Sequence, residues 1–175
     1  MDDHKQHIHR FHGMRPFTLD DEVIMDFLGI ENEIGVLDVG GADGFYAKKF
    51  AARGARVTVI DNYDYEFSTL NSMGIKTIIQ NFCNYSEGTF DIVFMAHVYH
   101  DLVLNCKEKT LENLREISPI HIGHLDFVKE DLEFGPPTSI KLEKHEVVSD
   151  MESIGYRLKK DNELPFHYLQ LFEKK

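Results

Sequence analysis

The chain has 175 residues, a formal net charge of -11, 42% hydrophobic residues and 28% charged residues. That balance predicts one globular domain with its own core and excludes a disordered chain. Acidic charge disfavours phosphate backbones and anionic lipid surfaces, so no nucleic acid and no membrane are expected as partners; nor does any apolar run reach the roughly 20 residues of a membrane helix.

The start, Met1-Asp2-Asp3-His4, is polar and lacks the apolar core of a secretory leader, so a cytoplasmic location is expected. His4, His7, His9 and His12 set residues 1–17 apart as an arm, ahead of a domain at 18–175. No Cys or well-spaced carboxylate joins these histidines, so no metal site is expected; metal handling by the arm is the minority reading. Thr18 and Asp21 have the spacing of a capping box, with Val23, Ile24, Phe27 and Leu28 following at helical spacing and Gly29 as the stop.

Residues 34–39 predict a strand buried on both faces, because nearly every side chain is apolar. Helices are predicted over 45–53, 63–72, 107–117 and 143–154. Strands are predicted over 56–60, 75–79, 90–96, 120–128, 156–160 and 168–172. Strands alternating with helices of this length make βαβ units. The last two strands are joined by too short a connection for a parallel crossover and must pair antiparallel. The fold class is therefore α/β: a single doubly wound domain with about seven strands, mainly parallel, and an antiparallel C-terminal strand. Ligands of such sheets sit beyond the carboxyl ends of the strands.

The first strand ends in Asp38-Val39-Gly40-Gly41-Ala42-Asp43-Gly44. Gly40 and Gly41 allow a sharp turn and a close approach to a ligand, and Gly44 stands where the next helix begins. Asp38, Gly40 and Gly44 resemble the first motif, D/E-x-G-x-G-x-G, of the class I S-adenosylmethionine-dependent methyltransferase family, with Ala42 in place of the middle glycine. The resemblance implies a Rossmann-like methyltransferase domain, S-adenosylmethionine as cofactor, and Asp38 near the amino group of its methionine part. A dinucleotide fingerprint counted from Gly40 would need glycine at Ala42 and Phe45, which disfavours a nucleotide-dependent oxidoreductase.

Asp61 closes the second strand, where a carboxylate can accept both ribose hydroxyls; Asn62 and Tyr63 follow as flanking residues. After the third strand, the family pattern implies an adenine contact from Asn81, which stands where Asp is common, and from the Phe82 backbone. The fourth strand opens into Ala96-His97-Val98-Tyr99-His100-Asp101, resembling the small type 11 methyltransferases of the ubiquinone and menaquinone biosynthesis type. By that resemblance Ala96 and His97 line the methionine end of the donor, and His100 and Asp101 lie near the acceptor.

His100 is a candidate general base, and Tyr99 reads as packing. Asp126 reads as a strand-end polar residue facing the cleft, and Gly135-Pro136-Pro137 as one wall of an acceptor pocket. Cys83 and Cys106 make no disulfide framework and read as two thiols, with Cys83 buried. The expectation is methyl transfer to a small-molecule acceptor by a monomer or homodimer. A non-catalytic S-adenosylmethionine-binding module, or an activating subunit of another methyltransferase, is the alternative.

Overall fold

The computed structural model describes residues 19–175. The predicted arm, with its histidines, Phe11 and Arg15, and the capping residue Thr18, lies outside the described residues.

Seven strands form one sheet: β1 (Gly35–Val39), β2 (Arg56–Asp61), β3 (Lys76–Ile79), β4 (Ile92–Ala96), β5 (His121–Phe127), β6 (Tyr156–Leu164) and β7 (His167–Lys174). Their spatial order is β3-β2-β1-β4-β5-β7-β6. β1 to β5 run parallel, and β7 inserts antiparallel between β5 and β6. The strand order reverses beside β1, so a crevice opens between β1 and β4 at their carboxyl ends.

Alternation along each strand feeds two cores. Val36, Val57, Val59, Ile92 and Phe94 pack beneath α1 (Asp21–Leu28), α2 (Phe45–Ala52) and α3 (Phe67–Ser72). Leu37, Val39, Ile60, Val93 and Met95 pack beneath α4 (Tyr99–Ile117) and α5 (Lys144–Ser153). Burial of both faces is what the near-continuous apolar runs require.

Several predicted boundaries move for identifiable reasons. The N-cap of α1 is Asp20, not the Thr18/Asp21 pair; its carboxylate accepts from the Glu22 and Val23 N–H groups. Gly29 does end that helix, in the left-handed region at φ 72. The helix predicted over 63–72 begins only at Phe67, because the Asp64 side chain takes the Phe67 N–H at 2.7 Å and holds the preceding residues in a loop. The helix predicted over 107–117 begins at Tyr99, so it carries His100 and Asp101 on its first turn. Within it Cys106 departs from helical geometry, at φ -160 and ψ 46, and kinks the helix.

The reading of Cys83 and Cys106 as two thiols is overturned: they are joined by a disulfide. A 3-10 turn, Phe82–Asn84, lies against α4 and brings the two Cα atoms to 6.0 Å, inside the range a disulfide spans. Cys83 is accordingly half-buried rather than buried.

Candidate active site

The turn after β1 is built from residues in unusual backbone conformations. Gly40, Ala42 and Gly44 all have positive φ, at 68, 47 and 76. Ala42 thus occupies a left-handed position where glycine is the easier residue, which is the sense of the middle glycine in the motif it departs from. The Gly40 N–H bonds the Ile60 carbonyl at 2.8 Å, tying the turn to β2. A side chain at Gly40 would put Cβ 2.7 Å from Val98 Cγ2, and one at Gly41 would put it 2.8 Å from Asp38 Oδ2. Asp38 itself is buried in the middle of the sheet, 2% exposed, directly under the turn.

Asp61 is the second anchor. Its Oδ2 accepts the Ala42 N–H at 3.1 Å, and its Oδ1 accepts the Tyr63 N–H at 3.3 Å. The carboxylate therefore bridges the β1 turn and the β2 loop. Burial, with the Asp61 charge next, pushes the nearby Tyr65 phenol up to about 12. Asn62 is exposed, Tyr63 is 50% exposed, and Ile79, paired with Asp61 across β2 and β3, is 59% exposed. Exposed aromatic and aliphatic surface thus lies beside the Asp61 carboxylate.

Asn81 caps the 3-10 turn: its amide oxygen accepts the Cys83 N–H at 2.8 Å, leaving a second lone pair for a ligand. Phe82 is buried, and its carbonyl accepts the Asn113 amide of α4 at 2.7 Å. Its ring is thus a core aromatic.

Across the crevice, Ala96 ends β4 and pairs with Leu125. His97 turns left-handed at φ 56, and its N–H still reaches the Leu125 carbonyl at 2.9 Å. Its ring lies 4.8 Å from Phe127 and 5.0 Å from His167 between ring centroids. Phe134 continues this wall against Phe127 and Phe166. Gly135 packs on the Phe127 ring, where a Cβ would come within 2.9 Å of it.

His100 is 4% exposed and Asp126 2%. His100 Nδ1 meets Asp126 Oδ2 at 2.8 Å, and His100 Nε2 lies 3.7 Å from Asp101 Oδ2. Asp126 Oδ1 also accepts the Phe127 N–H at 2.9 Å, and His124 Nε2 stands 3.6 Å from Asp126 Oδ2. Burial depresses the His100 pKa, but the Asp126 charge and hydrogen bond outweigh it, and the net direction is upward from 6.5. Burial raises the Asp126 pKa, and the His100 charge more than reverses this, holding it well below 3.8. Tyr99 is held away from this pair by its hydroxyl bond to Asp150 at 3.0 Å, in keeping with a packing role.

The predicted residues thus form two groups at the carboxyl ends of neighbouring strands: the β1 and β2 turns with Asp38, Gly40, Ala42, Gly44 and Asp61, and the β4–α4 segment with Ala96, His97, His100 and Asp101, with Asp38 and His100 buried. Asp126 was legible only as a polar strand end; its burial demands a donor, and His100 supplies it. Lys141 gave no signal in the sequence. It is buried with Nζ on the Glu130 carbonyl at 2.6 Å, and burial lowers its pKa. Among the described residues no group of three or more His, Cys, Asp or Glu side chains is arranged to hold a metal ion, and no helix is long and apolar enough to cross a membrane.

The same fold occurs in solved methyltransferase structures. A SAM-dependent methyltransferase from Aquifex aeolicus is 23% identical, with 89% of this chain and 90% of that one covered at a TM-score of 0.77. A putative type 11 methyltransferase from Sulfolobus solfataricus is 18% identical, with 89% and 91% covered at 0.73. The 1,6-didemethyltoxoflavin-N1-methyltransferase of Burkholderia thailandensis, solved with S-adenosylhomocysteine, is 16% identical, with 89% and 76% covered at 0.66. A comparison with curated proteins gives no match. Residues 37–119, the segment that holds the glycine turn, Asp61, Asn81 and His100, match the model of a methyltransferase domain.

Proposed function

We propose that this protein moves the methyl group of S-adenosylmethionine to a small-molecule acceptor, with His100 taking the acceptor's proton. The carrying observation is the bond from the Ala42 N–H to Asp61 Oδ2, 3.1 Å, which locks the glycine turn and a ribose-accepting carboxylate into one unit. Asp61 grips the sugar diol, the turn leaves room for the donor's backbone-side edge, and Asp38 beneath it favours the positively charged amino end. The bound donor supplies an activated methyl on a sulfonium.

The rest falls to the chain. His97 and its aromatic neighbours wall the acceptor side and exclude water. Asp126 fixes the His100 ring through Nδ1, so that the other ring nitrogen, Nε2, is the basic atom presented to an acceptor X–H. As the X–C bond forms, the S–C bond breaks with its electron pair going to sulfur, and the X–H proton passes to Nε2.

The net charge of -11 disfavours polyanionic acceptors, which supports a small molecule over a nucleic acid. The test is incubation with methyl-labelled donor and a panel of small phenols, amines, thiols and carboxylates. Label must pass to at least one class in the wild type and fall steeply in His100→Ala. Label transfer that survives His100→Ala unchanged removes His100 from the chemistry.

A further inference from the structure

The only two cysteines of the chain are bonded to each other between the 3-10 turn after β3 and α4. Cys83 follows the adenine-side residues Asn81 and Phe82 in the 3-10 turn. Cys106 lies on α4 two turns beyond His100, where the helix kinks. The bond therefore links the element expected to face the adenine to the helix that carries the proposed base. Both cysteines are half-buried, so a small thiol reagent can reach them.

We propose that Cys83–Cys106 is a redox modification site: a clamp that sets donor affinity through the oxidation state of its two sulfurs. This rests on the reading of the crevice as a nucleoside site. A dithiol reductant attacks one sulfur, passes through a mixed disulfide and leaves as its own cyclic disulfide. Two electrons and two protons move to the protein, giving two Cys–SH groups. Released from Cys83, Cys106 can return to helical geometry, and the first turns of α4 shift relative to the 3-10 turn. The turn is not set loose entirely, because Asn113 still holds the Phe82 carbonyl and Asn81 still caps Cys83. The effect is therefore graded: weaker donor binding, with the fold kept.

The test uses the full-length protein purified without reductant. Alkylation with intact-mass analysis should find no free thiol until a small dithiol is added, and then two. Dithiol should increase deuterium uptake over residues 81–85 and 99–106 and leave β1 and β5 unchanged. It should also weaken S-adenosylhomocysteine binding, read by calorimetry, by about fivefold or more. Cys106→Ser should show the weaker affinity from the start and ignore dithiol. Free thiols in the air-oxidised protein, or identical uptake and affinity in both redox states, overturn the proposal. Should neither form bind S-adenosylhomocysteine, the donor reading falls, and unchanged uptake at 81–85 would overturn the clamp separately.

Discussion

His100 Nδ1 and Asp126 Oδ2 stand 2.8 Å apart, and both side chains are buried. The pair joins the first turn of α4 to the last residues of β5, so two neighbouring strand ends cooperate in holding one imidazole. Burial works against a charged ring, and the Asp126 charge more than offsets it, so His100 titrates above 6.5. A base must be neutral to accept a proton. Methyl transfer to an acceptor that ionises well above neutrality should then rise with pH, with a midpoint above 6.5. Asp126→Asn removes the favourable charge but keeps the burial, and the midpoint should fall below 6.5. A pH–rate series on both proteins checks this.

The same pair makes stability depend on pH at both ends. His100 has a raised folded pKa, so its contribution is whole below about pH 6.5 and fades as pH climbs through the folded value. Asp126 has a depressed folded pKa, so its contribution is whole above about pH 3.8 and fades as pH drops through the folded value. Urea midpoints measured across pH should show both losses, and the alkaline-side loss should vanish in His100→Gln.

Asp61→Ala should weaken S-adenosylhomocysteine binding more than tenfold, a loss of about 1.4 kcal/mol or above. Two effects combine: loss of the diol acceptor, and release of the Ala42 and Tyr63 N–H groups that Asp61 holds. Asp91→Ala is the matching control. It removes the 2.7 Å bond from the Gly35 N–H to Asp91 Oδ2 at the opposite end of the sheet. It should cost about 1–3 kcal/mol of stability and leave donor affinity unchanged, which calorimetry and denaturant melts together will show.

Gly40→Ala and Gly74→Ala separate backbone strain from collision. Both glycines have positive φ, 68 and 81, but a Cβ at Gly40 would meet Val98 at 2.7 Å, whereas Gly74 has nothing within 4 Å. Gly74→Ala should cost about 1–2 kcal/mol, the left-handed penalty alone. Gly40→Ala should cost more than Gly74→Ala and weaken donor binding besides, because Val98 is stiff at χ1 and immediately precedes the helix bearing His100.

The strands were legible because stretches such as Val36 to Val39 and Ile92 to Met95 are buried on both faces and are apolar at every position but Asp38. The glycine turn was legible because backbone conformations this unusual restrict residue choice. Less visible was anything set by a distant partner. The start of α4 was hidden because the polar groups of its first turn are satisfied by distant carboxylates, Tyr99 by Asp150 and His100 by Asp126, which local sequence does not reveal. The loop before α3 was hidden because Asp61 and Asp64 capture N–H groups that a helix would use. The disulfide was hidden because a separation of 23 residues carries no signature; only the packing of the 3-10 turn on α4 brings the sulfurs together.

Calorimetric titration of the purified protein with S-adenosylhomocysteine, run beside NAD, is the most direct measurement. One molecule of S-adenosylhomocysteine should bind per chain, Asp61→Ala should lose most of that affinity, and NAD should give no binding. Saturable binding of NAD with none of S-adenosylhomocysteine would contradict the assignment of the crevice to a methyl donor.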